Sequence, residues 1–151
     1  MKATIICIGN RLIPKDAAGL EVFDRLKELV LPGDVDLVEG GLMGLNLLPL
    51  LERGGRVVFV DSVSGFTSEG TIVVLDRMDV IQSLTPDHYG HGAGLPYLLS
   101  ILPGVCDGQM AEEIVLIGME GNLSEPMIDR AAQLAVSIAI NGLGESVGSS
   151  Q

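Results

Sequence analysis

Ala3-Thr4-Ile5-Ile6-Cys7-Ile8, closed by Gly9-Asn10, is the stretch on which the fold turns. A short β-branched run stopped by a Gly-Asn pair reads as a buried strand followed by a turn. A loop over Arg11–Asp16 follows. Beyond it Leu20, Phe23, Leu26 and Val30 recur at helical spacing, until Pro32-Gly33-Asp34 ends the helix. Val35–Val38 reads as a second strand. Met43, Leu47 and Leu51 mark a second helix that stops before Gly54-Gly55. Arg56–Val60 is a third apolar strand, with Asp61 directly after it. Thr71–Leu75 is a fourth strand, reached through Ser62–Gly70. That connection is too short for a crossover helix, so the fourth strand is expected antiparallel, at or near an edge. Thr85–Gly94 is a turn-rich loop that holds both histidines, His88 and His91. Leu95, Leu98, Leu99 and Leu102 form a helix with Pro96 in its first turn. Glu113–Ile117 is a fifth strand. Ser124 caps a last helix carrying Ile128, Ala131, Leu134, Ala135 and Ile138.

Strands alternating with helices predict a three-layer α/β fold with a mostly parallel five-stranded sheet. No internal repeat, linker or second domain is visible. Residues 1–142 are expected to form one domain, and 143–151, rich in Gly and Ser, a frayed tail.

The chain has 151 residues, 47% of them apolar, which is enough for a sizeable core. Aromatics are 3% and Trp is absent, so that core is built from Val, Ile, Leu, Ala and Met. Lys and Arg number 9 against 20 Asp and Glu, a formal charge of −11 that repels phosphate backbones and excludes nucleic acid as a partner. From Ile101 onward Arg130 is the only basic residue, set against Asp107, Glu112, Glu113, Glu120, Glu125, Asp129 and Glu145. A surface of that sign attracts basic segments and keeps the protein soluble. Two cysteines, Cys7 and Cys106, make no disulfide framework. Cys7, inside an apolar run, is expected to be an inert buried thiol. The N-terminus lacks a signal-peptide pattern, and no apolar run approaches the roughly 20 residues of a membrane span. The expectation is a cytoplasmic monomer without membrane insertion.

In open parallel sheets ligands bind beyond the carboxyl ends of the strands. Asp16 follows strand one, Asp61 follows strand three, and His88 and His91 lie in the loop that enters a helix. Two carboxylates and an imidazole suit a divalent transition metal, with water completing the shell. The same residues also suit a helix cap, a turn and a solvated loop. Other chemistries fit less well. The residues after Gly9 run Asn-Arg-Leu-Ile-Pro, so the dinucleotide fingerprint is missing, as are the Lys and Ser/Thr of a phosphate loop. Ser62 and Ser64 have no nucleophile-elbow glycines around them, and Cys7 lies within a strand.

Five blocks in order resemble the hydrogenase maturation endopeptidases. Ile8-Gly9-Asn10-Arg11-Leu12-Ile13, then Asp16 and Gly19, is similar to their opening G-N-x-L-x-x-D-[DE]-G-x-G block, with the acidic pair reduced to Lys15-Asp16. Glu39-Gly40-Gly41-Leu42-Met43-Gly44 resembles the second block, an acidic residue and two glycines before a helix. Val58-Phe59-Val60-Asp61 resembles the third, and His91 followed by Gly94-Leu95 the histidine block. Ile117-Gly118-Met119-Glu120 with Leu123-Ser124 resembles the last. The chain departs from the family pattern in Lys15 and Ala17 flanking Asp16, in Glu39 where Asp is usual, and in the competing His88.

The resemblance implies a twisted five-stranded sheet flanked by helices. It implies an aspartic-type endopeptidase that removes the C-terminal extension of a [NiFe]-hydrogenase large-subunit precursor. Metal ligands would fall on Asp16, Asp61 and His91, and the carboxylates of the reaction on Asp16, Asp61 and Glu39. The nickel would belong to the precursor, and zinc or cadmium are other ions the ligand set would take. Two rivals share the same residues: a non-enzymatic chaperone that recognises the metallated precursor, and an ordinary peptidase with its own zinc.

Overall fold

The computed structural model describes residues 2–9, 12, 17–41, 47–82, 94–121 and 124–144, with the backbone alone at 94–97. Five strands form one sheet in the order β2-β1-β3-β5-β4. They are β1 (Ala3–Ile8), β2 (Val35–Gly41), β3 (Arg56–Val63), β4 (Ile72–Asp76) and β5 (Glu113–Glu120). β1 runs parallel to β2 and β3, and β3 parallel to β5. β4 is antiparallel to β5 at the edge, as its short connection predicts. The helices are α1 (Ala18–Lys27), α2 (Leu48–Leu51), α3 (Arg77–Gln82), α4 (Gly94–Val105) and α5 (Glu125–Asn141).

Alternation along each strand sorts the core into two layers. Ile5, Cys7, Val58, Val60, Val115, Ile117 and Met119 pack with buried residues of α1 and α5. Ile6, Ile8, Val57, Phe59, Val63, Ile114 and Leu116 pack with Leu51 of α2, Val80 of α3 and Leu98, Leu99 and Leu102 of α4. The central strands read as unbroken apolar runs because both faces are covered. Arg25 of α1 pairs with Glu125 and Asp129 of α5 across the contact between the two helices. Among the described residues no helix is long and apolar enough to cross a membrane.

Several boundaries differ from the sequence expectation. α1 ends at Lys27, where Glu28 N–H and Leu29 N–H bond the carbonyls of Arg25 and Leu26, tightening the last turn. Val30 lies beyond it, fully exposed. β3 and β5 continue their mutual ladder to Val63 and Glu120, so Asp61 lies inside β3 rather than after it. α3 was not anticipated: six residues are too few to display a helical period. Its signal is the Asp76-x-x-Asp79 pair, in which Asp79 N–H donates to Asp76 Oδ1 (2.8 Å) and Asp76 N–H to Asp79 Oδ2 (3.2 Å). This is the reciprocal arrangement of a capping box. α2 has four residues and begins after Leu47, and Met43, expected in it, lies outside the described residues. Ser124 caps α5 as expected, its Oγ accepting from Met127 N–H at 3.3 Å.

Candidate functional site

The chain leaves β1 toward β2 on one side and returns to β3 on the other, so the switch in strand order falls between β1 and β3. Crossovers that depart in opposite directions leave a crevice at the carboxyl ends of those two strands, where such folds bind ligands. The β1–β3 ladder ends at the pair Cys7 and Val60, whereas the β3–β5 ladder runs on to Val63 and Glu120. Asp61 is therefore the first β3 residue past the end of the β1 ladder. β5 continues to pair beside it where β1 no longer does.

Asp61 shares its side of the sheet with Val57, Phe59 and Val63, the side covered by α4. It is only 2% exposed, and its Oδ1 accepts from Ser62 N–H at 2.8 Å. A carboxylate taken out of water is costly unless charge or hydrogen bonds compensate it, which makes Asp61 a candidate site residue. Its partner in the β5 register is Gly118, where a Cβ would come within 2.8 Å of both Val63 methyls. The missing side chain lets Val63 and Val73 close beneath the carboxylate.

The first turn of α1 packs tightly on the carboxyl ends of β1 and β3 from the opposite side of the sheet. A Cβ on Gly19 would lie 2.1 Å from the Ile8 carbonyl oxygen and 2.7 Å from that of Val60. Only glycine permits this approach. The contact anchors the start of α1 on the last residues of β1 and on the residue preceding Asp61.

Glu39 occupies another place. It pairs with Cys7 in the β1–β2 register and alternates with Val35 and Leu37 on the α1 side. Its side chain is exposed. Burial first, then the nearby charges of Glu39 and Asp24, push the Cys7 thiol up to about 12. At neutral pH Cys7 is a protonated, inaccessible thiol and no nucleophile, in line with the sequence expectation. Asp16, His88 and His91 fall outside the described residues. Among the described residues no group of three His, Cys, Asp or Glu side chains is placed to hold a metal; Asp61 supplies one hard oxygen donor.

The sequence places Glu120 in the last of the family blocks without giving it a role. It is 6% exposed at the carboxyl end of β5. Its Oε2 accepts from Gly65 N–H (2.9 Å), and its Oε1 from Phe66 N–H (3.0 Å) and Thr67 N–H (3.2 Å). Asp61 and Glu120 are the only buried carboxylates among the described residues, and alternation puts both on the α4 side. The available signal was the matching pattern of V-V-F-V-D and V-L-I-G-M-E, each a buried strand ending in an acid. A cavity of about 270 Å³, lined by Asp76, Arg77, Met110 and Glu112 among others, lies at the amino end of β5, away from Asp61.

The model of the hydrogenase maturation protease family matches residues 20–143. The chain belongs to that family. Hydrogenase 2 maturation protease of Escherichia coli K12 is 27% identical over 130 residues, covering 85% of this chain and 78% of that one. The [NiFe] hydrogenase maturation protease HycI of Thermococcus kodakarensis KOD1 superposes with a TM-score of 0.66 at 30% identity, covering 92% and 90% of the two chains. The hydrogenase maturating endopeptidase HybD of Escherichia coli shares the fold with a TM-score of 0.74 at 23% identity, covering 97% and 94%. The match to this protease family spans β2, β3 and β5, and so includes Asp61 and Glu120.

Proposed function

We propose that this family member is the endopeptidase that removes the C-terminal extension of a [NiFe]-hydrogenase large-subunit precursor once nickel has been inserted. The observation that carries the reading is Asp61, a buried carboxylate at the switch point between β1 and β3. Family membership supports a processing peptidase. The sequence supplies Asp16 and His91 as companions to Asp61, and carboxylates with a neutral imidazole match the ligand preferences of Ni²⁺. The nickel travels with the precursor and is part of the substrate. Recognition that requires it makes cleavage conditional on metal loading.

Hydrolysis consumes one water: its oxygen joins the scissile carbonyl carbon, the C–N bond breaks, and a proton passes to the departing amine. Carboxylates at this edge relay that proton. Glu39, on the other side of the sheet, serves at most to orient the substrate.

Intact-mass spectrometry of a nickel-loaded precursor, before and after incubation with the protein, tests the reading. Loss of one C-terminal fragment from the loaded form, with the nickel-free form left whole, is the expected result. A loaded precursor that binds and stays uncut identifies a chaperone instead. Stoichiometric zinc in the purified protein, with cleavage independent of nickel, identifies an ordinary zinc peptidase.

A further inference from the structure

We propose that Glu120 is a positioning residue of this site, holding the segment after β3 so that Asp61 is presented to the substrate; the inference rests on the processing activity proposed above. Residues 64–71 connect β3 to β4 with little apolar anchorage. Ser64, Gly65, Thr67, Ser68, Glu69 and Gly70 are exposed, and Phe66 is only partly buried against the α4-side core.

Glu120 holds this segment at both ends. Its carboxylate takes three successive N–H groups, those of Gly65, Phe66 and Thr67. Its carbonyl accepts from Gly70 N–H (2.8 Å), and its own N–H donates to the Thr71 carbonyl (3.0 Å). Consecutive N–H groups converging on one point form an anion cradle, and here the protein's own side chain fills it. With its oxygens engaged in this way, Glu120 acts through the loop rather than on substrate.

The loop starts directly after Val63, which pairs with Glu120 in the ladder, and Asp61 is two residues before Val63 on the same side. Fixing residues 65–67 therefore fixes the exit of the strand that carries Asp61. The turn beyond Glu120 is equally constrained: Gly121 has φ +81°, and a Cβ there would strike Glu69 at 2.8 Å. Phe66, whose N–H is one of the three, is held against the same core layer that lies beneath Asp61.

The test uses Glu120→Gln and Glu120→Asp in the full chain, with three readouts. These are kcat and KM on nickel-loaded precursor, hydrogen exchange at Gly65, Phe66 and Thr67 against the amides of α5, and the thermal melt. A misplacement of about 1 Å at a reacting group costs on the order of 100-fold. In Glu120→Gln, kcat per folded molecule falls by about tenfold or more while KM stays within about twofold. Exchange at residues 65–67 speeds up, and α5 is unchanged. A loss of activity that merely tracks the loss of folded protein overturns the proposal, as does wild-type kcat beside a loosened loop. If Glu120→Gln does not fold, Glu120→Asp decides: it keeps the charge but shortens the reach, so kcat falls by several-fold, and wild-type kcat there overturns the proposal. Wild-type protein that leaves the loaded precursor uncut overturns the proposed function, and this inference with it.

Discussion

Gly19→Ala places a methyl group 2.1 Å from the Ile8 carbonyl oxygen, 2.7 Å from the Val60 carbonyl oxygen and 2.9 Å from Ile8 N. All three obstacles are backbone, so no side chain can swing away. Non-bonded heavy atoms settle near 3.5 Å, so the first turn of α1 must retreat by roughly 1 Å. That retreat drags Ala18 and Val22, both at most 1% exposed, away from β1 and α5. Overpacking costs about 3 kcal/mol at the upper end of its usual range. Replacing Gly by Ala inside a helix gains back about 1 kcal/mol. The net loss is about 2 kcal/mol, and for a chain of this length it lowers Tm by roughly 4–8 °C. Activity suffers more than stability. A misplacement of about 1 Å costs on the order of 100-fold, and the displaced turn lies beside the residue preceding Asp61. Differential scanning calorimetry gives the first number and intact-mass cleavage kinetics the second. A Tm equal to or above wild type, which helix propensity alone predicts, would refute the reasoning.

Asp61→Asn is expected to reduce processing by far more than Glu39→Gln, because Asp61 is buried at the crevice and Glu39 is exposed on the other side of the sheet; equal losses in cleavage assays would show that the faces are misassigned. Iodoacetamide at pH 8 should modify Cys106, which is partly exposed, long before Cys7, whose thiolate fraction near pKa 12 is roughly one in ten thousand; peptide mapping that finds both labelled alike defeats this. The same thiol makes stability fall with alkali. Above pH 9 the unfolded chain loses the Cys7 proton while the folded chain keeps it until about 12. Unfolding free energy then drops by about 1.4 kcal/mol per pH unit across that window. Cys7→Ala should flatten the slope in denaturant titrations, and an unchanged slope would assign it to other groups. His91→Ala should abolish cleavage and His88→Ala leave it largely intact; the reverse result would move the histidine block by three residues.

The central architecture was legible because its cause is local. Ala3–Ile8 is an unbroken apolar run, and such runs specify buried strands wherever they occur. The short link between Asp61 and Thr71 likewise forced β4 to be antiparallel. Asp61 was visible as an acid closing an apolar strand. What the sequence hid is set by partners far along the chain. β3 runs on to Val63 because β5 continues beside it, more than fifty residues later. Glu120 becomes a structural hub only when Gly65, Phe66 and Thr67 are brought to it. The separation of Glu39 from Asp61 is a matter of strand parity across three neighbouring strands, and the β1–β2 register shift between Cys7 and Ile8 makes that parity hard to count from sequence. Val30 misled in the other direction: it kept the helical spacing after the helix had stopped.

β5 has a strand on each side, β3 parallel and β4 antiparallel, and β3 lies between β1 and β5. Amides in such interior ladders exchange with water only through the largest openings of a protein. Both buried acids of the site ride on these two strands. The cleft is therefore built like a vice with one fixed jaw, cast into the slowest-opening part of the molecule. On the function proposed above, whatever yields when substrate enters must come from outside β3 and β5, and mutations that harden these strands should leave substrate range untouched.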